Sequence, residues 1–316
     1  HLSIRRQRQM CIRDRYDIYE NQLNLPSVKV TNNLYNSQSL KTPIDREHAM
    51  LKGAIVDSNG KDFNSQSKNL LKHARITTKN IKSKGNNQLE VKNNIGTVNI
   101  HIPKKIRKQY QDFYITLYIK RGNPDSNYTV NVNNYFNNRL YNNSVYKTRI
   151  NTQLYRTQPD KNGNISIKLS PNGGFKFKLL NLSGENYKTL KTAHHNANFN
   201  MDYNDIKNGV KVNLGQHSKG LATINIPYRA GMRAYIDGRQ VNIHKVNYMM
   251  TGVPVNKNDQ TIIIKYQPPY WKTMIFISFI SIIFSMIYIR YTNSIKRKMR
   301  ICLLYTSPSP RDKRQS

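Results

Sequence analysis

Catalysis and ligand binding need carboxylates, histidines, hydroxyls or thiols gathered at short spacing, and this sequence offers few such groupings. Asp45 with Glu47 and Asp202 with Asp205 are the nearest acidic pairs. Two carboxylates can divide acid and base work when their surroundings push their pKa values apart, but both pairs stand in polar stretches of the kind that make helix caps and solvated turns. His194 and His195 are a tempting metal pair. Read as part of a strand, neighbouring residues point to opposite faces, and no carboxylate cluster follows to complete a ligand set. There is no phosphate-binding glycine loop, no zinc-protease helix and no Gly-x-Ser-x-Gly turn. No catalytic residue, metal ligand or cofactor is therefore expected within these residues. Tyr228, Arg229 and Arg233 are of types that stack on and hydrogen-bond carbohydrate, which makes them the candidate glycan-binding group; a purely structural hairpin is the competing reading.

The elements that must position these groups are mostly strands. Apolar residues alternate with polar ones at Val98, Ile100, Ile102; at Phe113, Ile115, Leu117, Ile119; and at Tyr128, Val130, Val132. The pattern returns at Ile165, Ile167, Leu169; at Phe175, Phe177, Leu179; at Val210, Val212, Leu214; and at Ile224, Ile226. Period-two alternation is the mark of half-buried strands. Clusters such as Asp160-Lys161-Asn162-Gly163-Asn164 supply turns between them, and Asp237-Gly238 is the pair that a tight hairpin turn demands. The fold class read from this is mainly β, an extracytoplasmic antiparallel β-sandwich of jelly-roll kind over residues 96–269. Residues 16–95 read as an irregular lead-in, with a short helix around Arg46 to Lys52 and loops from Val56 to Gly85.

One helix follows. Thr273 to Ile289 holds no charge, Pro or Gly, just enough for a span that needs about 17 to 25 apolar residues. Residues 270–290 are assigned to this transmembrane helix. Tyr270 and Trp271 at its start, with Lys272 and Arg290 bracketing it, suit the membrane interface, where aromatic rings sit at the headgroups and long cations reach outward. Arg290, Lys296, Arg297, Lys298 and Arg300 make the following side cytoplasmic under the positive-inside rule, so residues 291–300 form a basic cytoplasmic tail and everything before Tyr270 lies outside. The expected location is the cell membrane, with the bulk of the chain extracytoplasmic and the lipid bilayer as its first partner.

The net charge is +34. Lys and Arg are scattered singly through strands and loops, without a clustered footprint, so no nucleic-acid partner is expected; a basic surface also suits anionic lipid or an anionic envelope polymer. The only cysteines are Cys11 and Cys302. Both lie in runs, Met10 to Arg15 and Cys302 to Asp312, that resemble translated sequencing adapter. Residues 1–15 and 301–316 are accordingly set aside as artefact. Without them the chain remains strongly basic and has no thiol for disulfide, metal or nucleophile.

The stretch Ile226 to Arg239, followed by Val246-Asn247, Thr251-Gly252-Val253-Pro254-Val255 and Tyr266-Gln267-Pro268-Pro269, resembles the closing segment of the YfhO family, in which a strand-turn-strand and a "Y–PP" exit precede a last transmembrane helix. Met232 stands where that pattern usually has Trp. Arg46 to Val56 looks like a less distinctive upstream segment of the same family. The resemblance implies a multi-span membrane protein similar to lipid-linked-sugar glycosyltransferases, associated with adding sugars to teichoic acids, whose catalytic carboxylate lies among upstream helices absent here. On that reading this fragment is inactive alone, and its partners are an anionic envelope polymer or a lipid-linked sugar. Two other readings remain open: a non-enzymatic surface or carbohydrate-binding protein anchored by one helix, and an accessory subunit that scaffolds a membrane complex.

Overall fold

The structure, a computed structural model, describes residues 6–7, 18–19, 21–122, 127–139 and 150–305. Most of both terminal segments set aside above therefore falls outside the described residues.

In chain order the strands begin with β1 (Arg6–Gln7), β2 (Ile18–Tyr19), β3 (Val28–Thr31) and β4 (Leu34–Asn36), before helix α1 (Pro43–Lys52). Then come β5 (Ala54–Val56), β6 (Arg75–Lys79), β7 (Ile81–Ser83), β8 (Gln88–Val91) and β9 (Gly96–His101), and the single turn α2 (Lys104–Arg107). The long middle run is β10 (Asp112–Arg121), β11 (Tyr128–Val132), β12 (Tyr135–Arg139), β13 (Thr152–Thr157), β14 (Asn164–Leu169) and β15 (Gly173–Glu185), closed by α3 (Lys188–His195). The last group is β16 (Asp202–Ile206), β17 (Gly209–Asn213), β18 (Gly220–Pro227), β19 (Met232–Ile236), β20 (Arg239–Val241), β21 (His244–Val246), β22 (Met250–Val255) and β23 (Thr261–Tyr266), followed by α4 (Trp271–Tyr305).

These strands build two sandwiches where the sequence reading placed one over 96–269. The first faces the sheet β13-β10-β15-β8-β7 against β12-β11-β14-β9-β6. Strand pairs nest within it: β11 with β12, β10 with β13, β9 with β14 and β8 with β15. That is one long antiparallel ribbon rolled on itself, the jelly roll expected from the sequence. The second faces β16-β17-β23-β19-β20 against β21-β22-β18-β3. Each has its own core, one around Ile100, Phe113, Ile115, Leu117, Ile165 and Ile167, the other around Val212, Ile224, Ala234, Ile262 and Ile264. Local alternation shows which face of a strand is buried, but not which of two cores it joins.

The alternation itself holds. Phe113, Ile115, Leu117 and Ile119 are fully buried, as are Ile165, Ile167 and Leu169. In β15 the inward set Phe175, Phe177, Leu179 changes parity to Leu182, because the register with β10 shifts and leaves Leu180 without a partner. A bulge of this kind adds one residue and re-aims the rest of the strand. Asp237 and Gly238 both have positive φ, 49° and 81°, as the predicted hairpin turn between β19 and β20 requires.

The lead-in is more ordered than its composition suggests. Strand β3 pairs with β18, almost two hundred residues later, so the first sandwich is inserted between the opening strand of the second and its remainder. Between the sandwiches, α1 packs against α3. It starts with a capping box: Thr42 Oγ1 accepts from the Asp45 N–H and Asp45 Oδ2 from the Thr42 N–H, both at 3.1 Å, with Pro43 in the first turn. Its C-terminal end is closed by Lys29 of β3, whose Nζ donates to the carbonyls of Met50 (2.6 Å) and Gly53 (2.7 Å).

Candidate functional site

The groups singled out in the sequence mostly do structural work. Asp45 is buried and spent on the cap and on the Ser65 hydroxyl. Asp202 accepts from the N–H of Tyr203 on the edge strand β16, and Asp205 is exposed there. His194 and His195 end helix α3 and do not lie on a strand; His194 Nδ1 is 2.7 Å from the carbonyl of Asn24, and its ring meets Phe199 edge-on. The physical cause of that difference is the run Lys188 to His195, free of Gly and Pro, which winds as a helix against α1. Among the described residues no three His, Cys, Asp or Glu come together as a metal site.

Tyr228, Arg229 and Arg233 lie where the second sandwich meets α4. Tyr228 donates its N–H to the Met249 carbonyl at 2.8 Å, and Arg229 and Arg233 are exposed. Gly231, at φ +96°, accepts from the Gln267 N–H at 3.1 Å, and a Cβ there would stand 2.2 Å from the Gln267 carbonyl oxygen. The hairpin is thus clamped to the segment that leads into the helix. Arg233 faces Lys265 across the sheet, so the exposed surface beside α4 is basic.

Helix α4 is almost wholly exposed from Trp271 to Met299, and that stretch is long and apolar enough to cross a bilayer. Trp271 and Lys272 are its first residues and Tyr270 immediately precedes it. Lys272 and Arg290 stand about 27 Å apart at a rise of ~1.5 Å per residue, close to the hydrocarbon thickness of about 30 Å. Ser278, Ser281 and Ser285 each return their hydroxyl to a carbonyl four residues back, satisfying it within the helix. The helix runs on without a break past Arg290 through the predicted tail.

A group that no local sequence pattern signalled lies on the outer face of the first sandwich, under α1 and α3. Tyr114 donates its hydroxyl to Glu47 Oε1 at 2.6 Å, and His48 Nε2 meets Glu185 Oε2 at 2.8 Å. The Tyr187 hydroxyl donates to Asp112, which also accepts from Arg156 Nε at 3.0 Å and Gln158 Nε2 at 2.8 Å. The guanidinium of Arg156 lies between two rings, 5.6 Å from Tyr114 and 5.0 Å from Tyr187. Burial, and then the hydrogen bond to Glu47, hold the Tyr114 hydroxyl above the ordinary tyrosine range. Each carboxylate here is answered by a donor, so the seam orients side chains and carries no free acid or base pair.

The seam opens into a cleft of about 680 Å³ lined by Asp112, Arg156, Gln158, Asn133, Tyr135 and Lys168 among others. Asn133 builds its wall: its side chain donates to Thr157 Oγ1 and the Gln158 carbonyl and accepts from the Ser166 N–H.

Residues 5–278 match the model of the family described as bacterial membrane protein YfhO. The chain belongs to the YfhO family. The match begins inside the N-terminal segment set aside above and ends within α4. The YfhO protein of Bacillus subtilis (strain 168) is 34% identical over 283 residues, which cover 88% of this chain and 32% of that protein. The chain therefore spans about a third of this relative. Among solved structures, arabinofuranosyltransferase AftD from Mycobacteria covers 53% of this chain at 8% identity with a TM-score of 0.19. The binding domain of botulinum neurotoxin DC covers 64% at 8% identity with a TM-score of 0.20. At such scores neither likeness carries weight. Family membership makes this a membrane protein, and the sequence resemblance to YfhO is borne out.

Proposed function

We propose that this chain is the extracytoplasmic C-terminal part of a YfhO-type membrane glycosyltransferase acting on an envelope polymer such as teichoic acid, with the catalytic carboxylate on upstream membrane segments. The observation that carries the reading is the direct seating of a β-sandwich on a membrane helix: only Gln267 to Tyr270 separate β23 from α4. A sheet held that close to a bilayer stands within reach of a lipid-linked sugar at the surface. Its exposed Arg229, Arg233 and Lys265, with the half-buried Tyr228 beside them, supply cationic and aromatic contacts for an anionic acceptor. The basic end of α4 faces the cytoplasm in this reading.

The test uses cells lacking the gene, complemented with the complete gene or with one deleted for residues 21–268. The proposal expects sugar on the teichoic acid only with the complete gene; equal sugar content with both would overturn it. Protease added outside intact cells should degrade the sandwiches and spare the tail. A second reading, a membrane-anchored carbohydrate-binding protein without catalysis, is favoured by the saturated carboxylates of the seam. It expects glycan retention at the cell surface to depend on the gene while polymer glycosylation does not.

A further inference from the structure

We infer that the cleft at the end of the first sandwich is a binding site for an uncharged pyranose sugar unit, separate from the basic surface beside α4. The site goes beyond the reading above, since it needs no catalysis by the parent protein. Its charges are balanced: Arg156 and Lys168 are set against Asp112 and Asp160 along the same lining. On a chain of net charge +34, a neutral cleft is an exception. A polyanion would be drawn to the cationic surroundings in preference to it. What the cleft offers is a ring face and fixed polar edges. Tyr135 is 53% exposed and follows the turn at Asn133, held in place by that residue's three hydrogen bonds. An exposed aromatic face beside hydrogen-bonding groups suits a ligand that is apolar on one side and hydroxylated at its rim.

Arg156 is the fixed donor. Its Nε is committed to Asp112, its plane is set between Tyr114 and Tyr187, and its side chain is still 44% exposed. Asp112 is itself held by Tyr187 and Gln158. A guanidinium anchored in this way offers its remaining N–H groups without losing rotamer freedom on binding, which is what makes a preorganised site. The volume of about 680 Å³ lies within the usual range for small-molecule sites, about 300–1,000 Å³.

The test uses the full chain in detergent micelles, with methyl glucoside, methyl galactoside and N-acetylglucosamine as probes, and unsubstituted glycerol-phosphate polymer as the anionic control. Saturation-transfer NMR and calorimetry are expected to detect at least one neutral sugar, insensitive to salt. Tyr135→Ala should weaken it about tenfold or more, and Arg156→Lys should do so at unchanged net charge. Tyr135 is exposed on a hairpin, so its replacement leaves the fold intact, as circular dichroism would verify. Arg229→Ala should leave sugar binding unchanged. No binding of any neutral sugar, binding untouched by Tyr135→Ala, or salt-sensitive binding of the polymer alone at the cleft would each overturn the proposal.

Discussion

Tyr114 and Glu47 join the first sandwich to α1 through one hydrogen bond of 2.6 Å, made where Tyr114 is 3% exposed. Removing the hydroxyl leaves Glu47 without that donor. Tyr114→Phe should lower unfolding stability by about 1–3 kcal/mol, the range for a hydrogen bond to a charged group, here the half-buried Glu47 carboxylate, measurable by urea denaturation. The folded state holds the Tyr114 proton more tightly than the unfolded chain. Its contribution is therefore complete below pH ~10 and declines as pH rises beyond it, a slope that Tyr114→Phe should remove.

Lys29 makes the opposite prediction. Burial lowers its pKa from the ordinary 10.5 to about 8. Between those values the unfolded chain binds more protons than the folded one, so Lys29 makes the fold more stable as pH rises through that window. Lys29→Met should flatten the rise. It should also cost about 1–3 kcal/mol by leaving the Met50 and Gly53 carbonyls without their donor, as thermal melts across pH 7.5 to 10.5 would show.

Gly231 should tolerate no side chain. Its φ of +96° and the 2.2 Å approach of the Gln267 carbonyl to a built Cβ mean that Gly231→Ala must move the hairpin or the exit segment. A loss of about 1–3 kcal/mol is expected from backbone strain, read by thermal unfolding. An Ala at Gly238, where a Cβ would meet nothing within 4 Å, should lose less.

Phe279 lies near the middle of the apolar stretch and is 64% exposed. Phe279→Arg should disfavour membrane insertion by about 2.5–3.5 kcal/mol on the insertion scale, seen as a fall in the membrane-integrated fraction in a microsome assay. The same change at Asn293 should have little effect.

The strands were legible because alternation is a local property. Val98 to Ile102 and Phe113 to Ile119 state their buried face in five and seven consecutive residues, and the Asp237-Gly238 turn states its geometry in two. Many short strands with regular turns point to the jelly-roll class, but not to its nested pairing. What local pattern cannot carry is partnership. Val28 to Thr31 is a four-residue strand whose mate is β18, and nothing near Val28 points there. The seam was hidden for the same reason: Glu47, Asp112, Arg156, Glu185 and Tyr187 come from separate elements and meet only after the sheets form. Glu47 stands two residues from Asp45 in the sequence, yet its partner is Tyr114, and Asp45 turns to the helix cap. Tyr135 and Arg156 carried no signal, because an aromatic at a turn and an Arg in a strand are ordinary until a cleft lies between them.

The clamp of Gly231 on Gln267 leaves α4 and the second sandwich without slack between them. A swivel needs a length of chain free to twist, and the hydrogen bonds from Tyr266 to Asn208 and from Gln267 to Gly231 occupy that length. The helix then acts as an axle keyed to its wheel. Each residue of an α-helix advances the azimuth by about 100°, so inserting or deleting one residue in the upper part of α4 would turn every outward face of the sandwich by that angle relative to whatever neighbours grip the helix inside the bilayer.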